Sequence, residues 1–239
     1  MTITLAVAAV GLLMILVELR RPGRLWPKVK TWRTRAILLN AFQVGVVFLA
    51  GTTWEKWMKG HRPWSADGLG TIGGAAVGYL AITFVYYWWH RWRHEVPFLW
   101  RWFHQVHHSP QRIEVITSFY KHPFELVANS LISGVILFFG VGLGPKAASI
   151  VVVITGLAEL FYHWNVNTPR WLGYLFQRPE SHCVHHQSGV HSYNYADLPL
   201  WDMLFGTFRN PGRWKKTCGF EGNREMKLLE MIRGKDVAA

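Results

Sequence analysis

Three short histidine boxes are the residues best suited to do chemistry. They hold eight of the twelve histidines and read His90-Arg-Trp-Arg-His94, His104-Gln-Val-His107-His108 and His182-Cys-Val-His185-His186. On a helix, positions i, i+3 and i+4 lie close together, so each box is expected to direct its imidazoles to one side. Neutral imidazole is the commonest protein metal ligand, and more than four convergent imidazoles exceed the needs of one tetrahedral zinc. The boxes therefore predict a centre with two metal ions.

Apolar runs would have to position these boxes. A helix needs about 20 mostly apolar residues to cross a bilayer, and five runs approach that length, at 3–17, 36–54, 72–89, 124–143 and 147–164. The first run has no Lys or Arg before it and a basic cluster after it, which favours a membrane anchor over a signal peptide. The sequence thus predicts an all-α integral membrane helical bundle of four to five spans, with a helical cap that holds a histidine-rich dimetal site.

The basic residues predict which side of the membrane carries the boxes. If the five runs alternate in direction, the segments 19–36, 90–123 and 164–239 share one side and hold 22 of the 26 Lys and Arg. The positive-inside rule makes that side cytoplasmic, in a bacterial inner membrane or an endoplasmic reticulum membrane. All three boxes fall on it. The second and third runs could instead form a shallow hairpin that does not fully cross, and this alternative leaves the same segments on the cytoplasmic side.

Composition narrows the function classes. Half of the residues are hydrophobic and only 17% are charged, whereas charged residues make up about a quarter of a typical soluble domain. The formal net charge is +12, but the basic residues lie beside the apolar runs rather than on a separate polar face. An anionic lipid surface is therefore the expected partner, and nucleic acid is not. Two cysteines are too few for a disulfide framework.

The segments that flank the boxes carry a family resemblance. They read Tyr87-Trp-Trp-His90, Pro97-Phe-Leu-Trp100, His108-Ser109, Asn194-Tyr195 and Trp201-Asp-Met-Leu-Phe-Gly-Thr-Phe208. With these motifs, residues 80–208 resemble the fatty acid hydroxylase and sterol desaturase superfamily of integral-membrane di-iron enzymes. The ten-residue step from His94 to His104 separates this pattern from membrane acyl-CoA desaturases, whose boxes look similar but usually have a longer gap. We expect one membrane domain, with N-terminal membrane helices at 1–79, a catalytic region at 80–208 and a peripheral tail at 209–239.

The resemblance also implies a ligand set. The eight box histidines would bind metal, and His163, nineteen residues before His182, resembles the family's additional ligand from the preceding helix. Some relatives have a second histidine four residues later, where this chain has Asn167. That residue could bind through its carbonyl, hold a water or leave a position open, or it could simply end the helix. The implied set is His90, His94, His104, His107, His108, His163, His182, His185, His186 and Asn167.

The cofactor and the partners follow from the same resemblance. Two iron ions, which zinc could replace in a purified sample, would use O2 and two electrons from a donor to hydroxylate or desaturate a C–H bond. The substrate would be a lipid such as a sterol, a fatty acyl chain or a carotenoid. Because no Cys-x-x-Cys or dinucleotide-binding motif is visible, the electrons are expected from a separate ferredoxin- or cytochrome b5-like protein.

Several polar residues outside the boxes have weaker expectations. His61 is predicted to lie on the opposite side of the membrane, unrelated to the site. His122 is expected to begin a helix or, at most, to support a ligand, and His191 is expected to be a loop residue. The acidic residues that could orient ligand imidazoles are Glu125, Glu159, Glu180, Asp197 and Asp202. Glu159 and Asp197 are favoured among them, and Asp202 could equally cap or pair structurally.

Two other function classes compete with an enzyme of this kind. A zinc protease is disfavoured because the sequence contains no His-Glu-x-x-His motif. A non-catalytic membrane metal- or haem-binding protein or transporter would place its ligands within the spans to form a path, whereas these boxes lie at or beyond the span ends. Two non-haem irons per chain would favour the enzyme, and a Soret band or metal transport would favour the alternative.

Overall fold

The computed structural model describes residues 2–238, which form helices and no β-strand. The helices are α1 (Thr2–Arg20), α2 (Trp32–Thr52), α3 (Trp54–Gly60), α4 (Gly70–Glu95), α5 (Pro97–Leu99), α6 (Gln105–His108), α7 (Pro123–Gly134), α8 (Pro145–His163), α9 (Pro179–His185), α10 (Pro199–Leu204) and α11 (Leu228–Ile232). Two π-helical segments, Trp100–His104 and Val135–Gly140, precede α6 and extend α7. Short 3-10 turns lie at Asp67–Leu69, Val115–Thr117, Arg170–Tyr174 and Arg224–Met226.

Four segments of the described chain are long and apolar enough to cross a membrane. They are Trp32–Gly60, Asp67–Glu95, Pro123–Gly140 and Pro145–His163, and they contain most of the second to fifth predicted runs. The first run forms α1, a helix of 19 residues. The predicted all-α membrane bundle of four to five spans is therefore confirmed, while the crossing of the membrane by α1 stays a prediction.

The spans pack around a core between α4 and α8. Gly78 of α4 makes this close contact possible, because a Cβ at that position would lie 2.5 Å from Leu143 Cδ1 and 3.2 Å from Val151 Cγ2. Small residues allow membrane helices to approach in this way. The outer faces are apolar as well, with Phe48 and Ile72 each 75% exposed. Such a surface needs lipid around it, as expected of an integral membrane protein.

The segments predicted to share one side meet at one end of the bundle. Near the end of α1, Glu18 accepts a hydrogen bond from the Asn165 backbone N–H, just beyond α8. At the start of α2, the Trp32 indole donates to Glu114. At the other end, Arg62 donates to the Gly142 carbonyl across the two short loops. The side of the membrane that the cap faces stays a prediction.

The region after residue 209, expected to be a peripheral tail, packs against this cap. Met231 is fully buried among residues of α2 and α6. Arg35 and Glu225 form a buried ion pair at 2.6 Å, and the Gln105 amide donates to the Lys235 carbonyl at 2.7 Å. The tail therefore supports the helix of the second box, and its independence from metal binding stays a prediction.

Candidate metal centre

The nine histidines proposed as ligands lie in two adjoining groups. The first cluster is formed by His90, His94, His104, His108 and His185, and the second cluster by His107, His163, His182 and His186. Within each cluster, one nitrogen from every imidazole lies within 4.8 Å of the others. The clusters adjoin where the His108 and His186 rings stack, with centroids 4.1 Å apart.

Helical phase decides which histidine joins which cluster. Residues i and i+4 of a helix differ by about 40° in direction, whereas i+3 and i+4 differ by about 100°. In all three boxes the i and i+4 histidines share one cluster. The histidine at position i+3 joins the other cluster in each case: His107 lies in the second cluster and His185 in the first. The second and third boxes are thus divided between two clusters, whereas the sequence suggested one direction for each box.

A π-helical segment brings the second box back to the first. α4 ends at Glu95, Pro97 begins the next helix at its favoured first position, and the segment Trp100–His104 is π-helical. Insertions of this kind are frequent at functional sites. The His104 ring then lies 4.7 Å, between centroids, from the rings of both His90 and His94.

The outer nitrogens of several imidazoles donate to backbone carbonyls. The Nδ1 atoms of His90, His185 and His163 lie 2.7, 2.7 and 2.8 Å from the carbonyl oxygens of Tyr195, Tyr193 and Glu159. A carbonyl only accepts, so each of these Nδ1 atoms carries the proton. This tautomer leaves an unprotonated Nε2 that points into the cluster, which is the arrangement of a metal-binding histidine.

The inner nitrogens converge at distances that fit a shared ion. His163 Nε2 lies 3.0 Å from His182 Nε2 and 3.3 Å from His107 Nε2, and His104 and His108 approach at 3.1 Å through the same atoms. If two imidazoles bind one ion with bonds of about 2.1 Å, and the nitrogen–metal–nitrogen angle lies between a right angle and the tetrahedral angle, their nitrogens are about 3.0–3.4 Å apart. The Nε2 atoms of His90, His94 and His185 are buried and have no hydrogen-bond partner.

Burial keeps these imidazoles neutral. It lowers the pKa of His107, His108, His182 and His186 well below the usual value, and neighbouring histidines lower it further. Burial also lowers the pKa of His185 to about 3. A neutral imidazole keeps the lone pair that a metal requires, so the donor atoms are available at ordinary pH.

One carboxylate supports the first cluster. Glu125, on α7, is fully buried and forms an ion pair with Arg93. Its Oε1 also lies 3.2 Å from His104 Nδ1. A carboxylate on the outer nitrogen of a ligand histidine fixes the ring and raises its basicity. Of the five acidic candidates, Glu125 is therefore the one whose carboxylate contacts a ring of the first cluster, ahead of the favoured Glu159 and Asp197.

Those two carboxylates have other partners. The Glu159 side chain pairs with Lys121, and only the Glu159 backbone carbonyl contacts His163. Tyr162 donates a hydrogen bond to Asp197, and burial raises the pKa of Asp197 to about 7.

A model of the fatty acid hydroxylase family matches residues 75–207, more than half of the chain. The chain belongs to the fatty acid hydroxylase family. The resemblance of the boxes and their flanking motifs is thereby confirmed.

Curated relatives cover a range of lipid enzymes. Alkylglycerol monooxygenase from Homo sapiens is 30% identical over 161 residues, 65% of this chain and 34% of the relative. A very-long-chain aldehyde decarbonylase from Oryza sativa subsp. indica is 33% identical over 185 residues, 72% of this chain and 29% of the relative. An ornithine lipid hydroxylase from Rhizobium tropici is 27% identical over 215 residues, 81% of this chain and 64% of the relative. The match thus spans less than two thirds of each relative. No solved structure matches the chain.

In this member of the fatty acid hydroxylase family, Asn167 does not lie in either histidine cluster. Asn167 is exposed and donates to the Gly23 carbonyl at 3.3 Å. The reason is local, since α8 ends at His163 and Trp164 has an extended backbone. Position i+4 after His163 is therefore no longer on the helical face of that histidine.

The remaining histidines lie where they would support the structure rather than join a cluster. His122 caps α7 by accepting a hydrogen bond from the Phe124 N–H, as a helix-start residue does. His61 stacks on Trp57 at the opposite end of the bundle. His191 is a loop residue, but its Nδ1 lies 3.1 Å from His108 Nδ1, so it contacts the first cluster.

The loop after the third box supplies two backbone carbonyls that support imidazole rings and were not identified from the sequence. Tyr193 and Asn194 adopt left-handed backbones, with φ of 69° and 48°, an uncommon conformation for a Tyr. Asp202 holds the loop by accepting hydrogen bonds from the Tyr195 and Ala196 N–H groups at 2.8 and 2.9 Å. The Tyr195 carbonyl then faces His90. The family motif around Asp202 was visible in the sequence, but its partner depends on the fold.

Proposed function

We propose that the two clusters hold two iron ions and that the chain is an O2-dependent membrane oxidoreductase acting on a lipid. One contact in the second cluster carries the metal part of this proposal. The Nδ1 atoms of His163 and His107 both face carbonyl oxygens, at 2.8 and 3.4 Å. Their Nε2 atoms therefore face each other at 3.3 Å with lone pairs and no proton between them. Such a contact repels unless a cation lies between the nitrogens.

Iron fits the donor set and the family. All nine candidate donors are imidazole nitrogens, which suit iron, zinc, copper and nickel alike. Among these metals, iron carries O2 chemistry in many enzymes, and membership in the fatty acid hydroxylase family favours it. Bound iron would supply the activation of O2 and the removal of hydrogen from an unactivated C–H bond.

The chain's own residues would exclude water and hold the donors rigid. Seven of the nine histidines are at most 3% exposed, so bulk water has little access to the nitrogens. Exclusion of water strengthens electrostatic interactions in a site and suppresses side reactions. Glu125 and the Tyr193 and Tyr195 carbonyls would fix the rings of the first cluster, so that the substrate is the part that moves.

A lipid substrate would approach from the membrane side of the cap. α4 runs through the apolar bundle and carries His90 and His94 near its end. Near the cap, Phe84 of α4 and Phe124 of α7 are 39% and 56% exposed. A long chain that lies against these apolar faces would bring a C–H bond to the end of α4. Hydroxylation is the proposed reaction, and desaturation is the other outcome that the same hydrogen removal allows.

The proposed electron donor is a separate acidic protein of the ferredoxin or cytochrome b5 type. The segments predicted to share the side of the cap contain 22 of the 26 Lys and Arg. This charge would attract an acidic donor and would also favour a cytoplasmic orientation of the cap.

Lipid profiling tests the function. Cells that express the chain should contain an oxidised lipid, larger by one oxygen or poorer by two hydrogens, that is missing from cells without it. His107→Ala and His185→Ala, one from each cluster, should abolish that product while the protein still inserts. His61→Ala should leave it unchanged. Unchanged product in both cluster variants would overturn the proposal.

A further inference from the structure

Two cavities lie in the cap, and they differ in what they reach. The larger, of about 530 Å³, is lined mainly by residues 23–27 and 214–218 and includes no proposed ligand. The smaller, of about 300 Å³, is lined by His94, Pro97, Trp100, Val190, His191 and Asp236. His94 belongs to the first cluster, so this smaller cavity, the His94 cavity, joins solvent to the proposed centre.

Apart from His94 and the partly exposed His90, the histidines of the centre are closed to solvent, and His90 lines neither cavity. His104, His108 and His185 are at most 1% exposed. All four histidines of the second cluster are at most 3% exposed. A hydrated cation cannot cross the apolar bundle, because transfer of a charge into hydrocarbon is very unfavourable. An ion must therefore enter the cap from its polar side, and the His94 cavity leads from there to the His94 side chain, whose Nε2 is buried.

The polar side chains in the His94 cavity are of types that bind a ferrous ion. Besides His94, they are an imidazole, His191, and a carboxylate, Asp236. His191 Nδ1 lies 3.1 Å from His108 Nδ1, and the buried His94 Nε2 has no partner. Asp236 is exposed, and in a chain with a net charge of +12 a carboxylate at this mouth would attract a cation locally.

From this arrangement we propose that the His94 cavity is the entrance through which the metal ion reaches the centre, with Asp236 and His191 as its transient ligands. This inference rests on the proposed metal centre. An ion that enters here meets the first cluster at His94 and reaches the second cluster past the stacked rings of His108 and His186. No bond is made or broken apart from the exchange of water for protein ligands.

A reversible plug at Val190 tests the route. The full-length Val190→Cys protein, stripped of metal in detergent, is treated with a bulky methanethiosulfonate reagent. The native Cys183 and Cys218 are 0% and 2% exposed, so the introduced thiol is the one that reacts. Uptake of Co²⁺ is then followed by its visible absorption and by metal analysis. Thr217→Cys, which lines the larger cavity, receives the same treatment as the matched control.

We expect the modified Val190→Cys protein to lose most of its initial rate of Co²⁺ uptake and to regain it when a reductant removes the plug. Modified Thr217→Cys should load at the wild-type rate. Asp236→Asn should slow loading without lowering the final metal content, which separates a role in entry from a role in holding the ion. Equal rates in the modified Val190→Cys and Thr217→Cys proteins would overturn the route while leaving the metal centre intact. If the wild-type chain took up no Co²⁺, the centre itself would be contradicted, and the route with it.

Discussion

The two histidine clusters have the same chemistry but different surroundings. The first cluster draws five imidazoles from all three boxes, is supported by Glu125, and includes His94 at the edge of a cavity. The second cluster has four imidazoles, one of them from α8, and all four are buried. The first cluster has a donor to spare and access to solvent, whereas the second has neither. Loss of one donor should therefore affect the two clusters unequally.

Removal of one histidine from each cluster gives the largest expected effect. His182→Ala leaves three imidazoles in the second cluster, and His94→Ala leaves four in the first. We expect His182→Ala to lose close to one ion per chain and His94→Ala to retain more metal, as measured by metal analysis after anaerobic iron loading. His61→Ala is the control. Equal losses in the two cluster variants would show that the extra donor of the first cluster has no effect.

A smaller effect on metal binding is expected from substitution of Glu125, and it would sharpen the contrast between the two clusters. Outer carboxylates on ligand histidines contribute about 10–100-fold in metal affinity. Glu125→Gln should therefore lower the affinity of the first cluster for its ion by that factor and leave the affinity of the second cluster unchanged. The amide keeps the shape of the side chain beside Arg93. Titration with a competing chelator measures both affinities. Glu159→Gln is the comparison, because the Glu159 carboxylate pairs with Lys121. An equal loss of metal affinity in Glu159→Gln would show that Glu125 has no special role.

The smallest effect on the centre is expected from the tail. Met231 is fully buried and Leu229, two residues away on the same helix, is 68% exposed. Met231→Ala should reduce stability by about 2–5 kcal/mol without changing the number of ions per folded chain. Leu229→Ala should be within about 0.5 kcal/mol of the wild type. Thermal unfolding in detergent and metal analysis together check this, and a loss of metal from folded Met231→Ala would make the tail part of the centre.

Local patterns were sufficient for the helices and for the choice of histidines. The apolar runs and the boxes are periodic, and periodicity depends on neighbours in the chain. Helical phase separates His107 from His108, but the partners that each of them meets depend on how helices from distant parts of the chain pack against each other. The boxes therefore predicted two metals without predicting which histidine joins which cluster.

Three further features depend in the same way on contacts between distant parts of the chain or on where a helix ends. Asn167 was included because some relatives have a histidine four residues after His163, but α8 ends at His163 and Asn167 lies beyond the helix. The tail was expected to be peripheral because it is polar and lies after the last family motif. Met231 and the Lys235 carbonyl attach it to the cap, and its independence from metal binding stays a prediction. Glu125 was one of five acidic candidates in the sequence, and only its contacts with Arg93 and His104 in the folded chain distinguish it from the others.

The most direct test of the central claim is Mössbauer and X-ray absorption spectroscopy on the full chain loaded anaerobically with iron. Two clusters of nitrogen donors predict two non-haem irons per chain, with nitrogen neighbours at about 2.0–2.2 Å by analogy with imidazole–zinc bonds. His107→Ala and His185→Ala should each change the signal of a different ion, and His61→Ala neither. A single bound ion with tetrahedral nitrogen coordination, a haem Soret band, or full iron content in both cluster variants would contradict the two-iron centre.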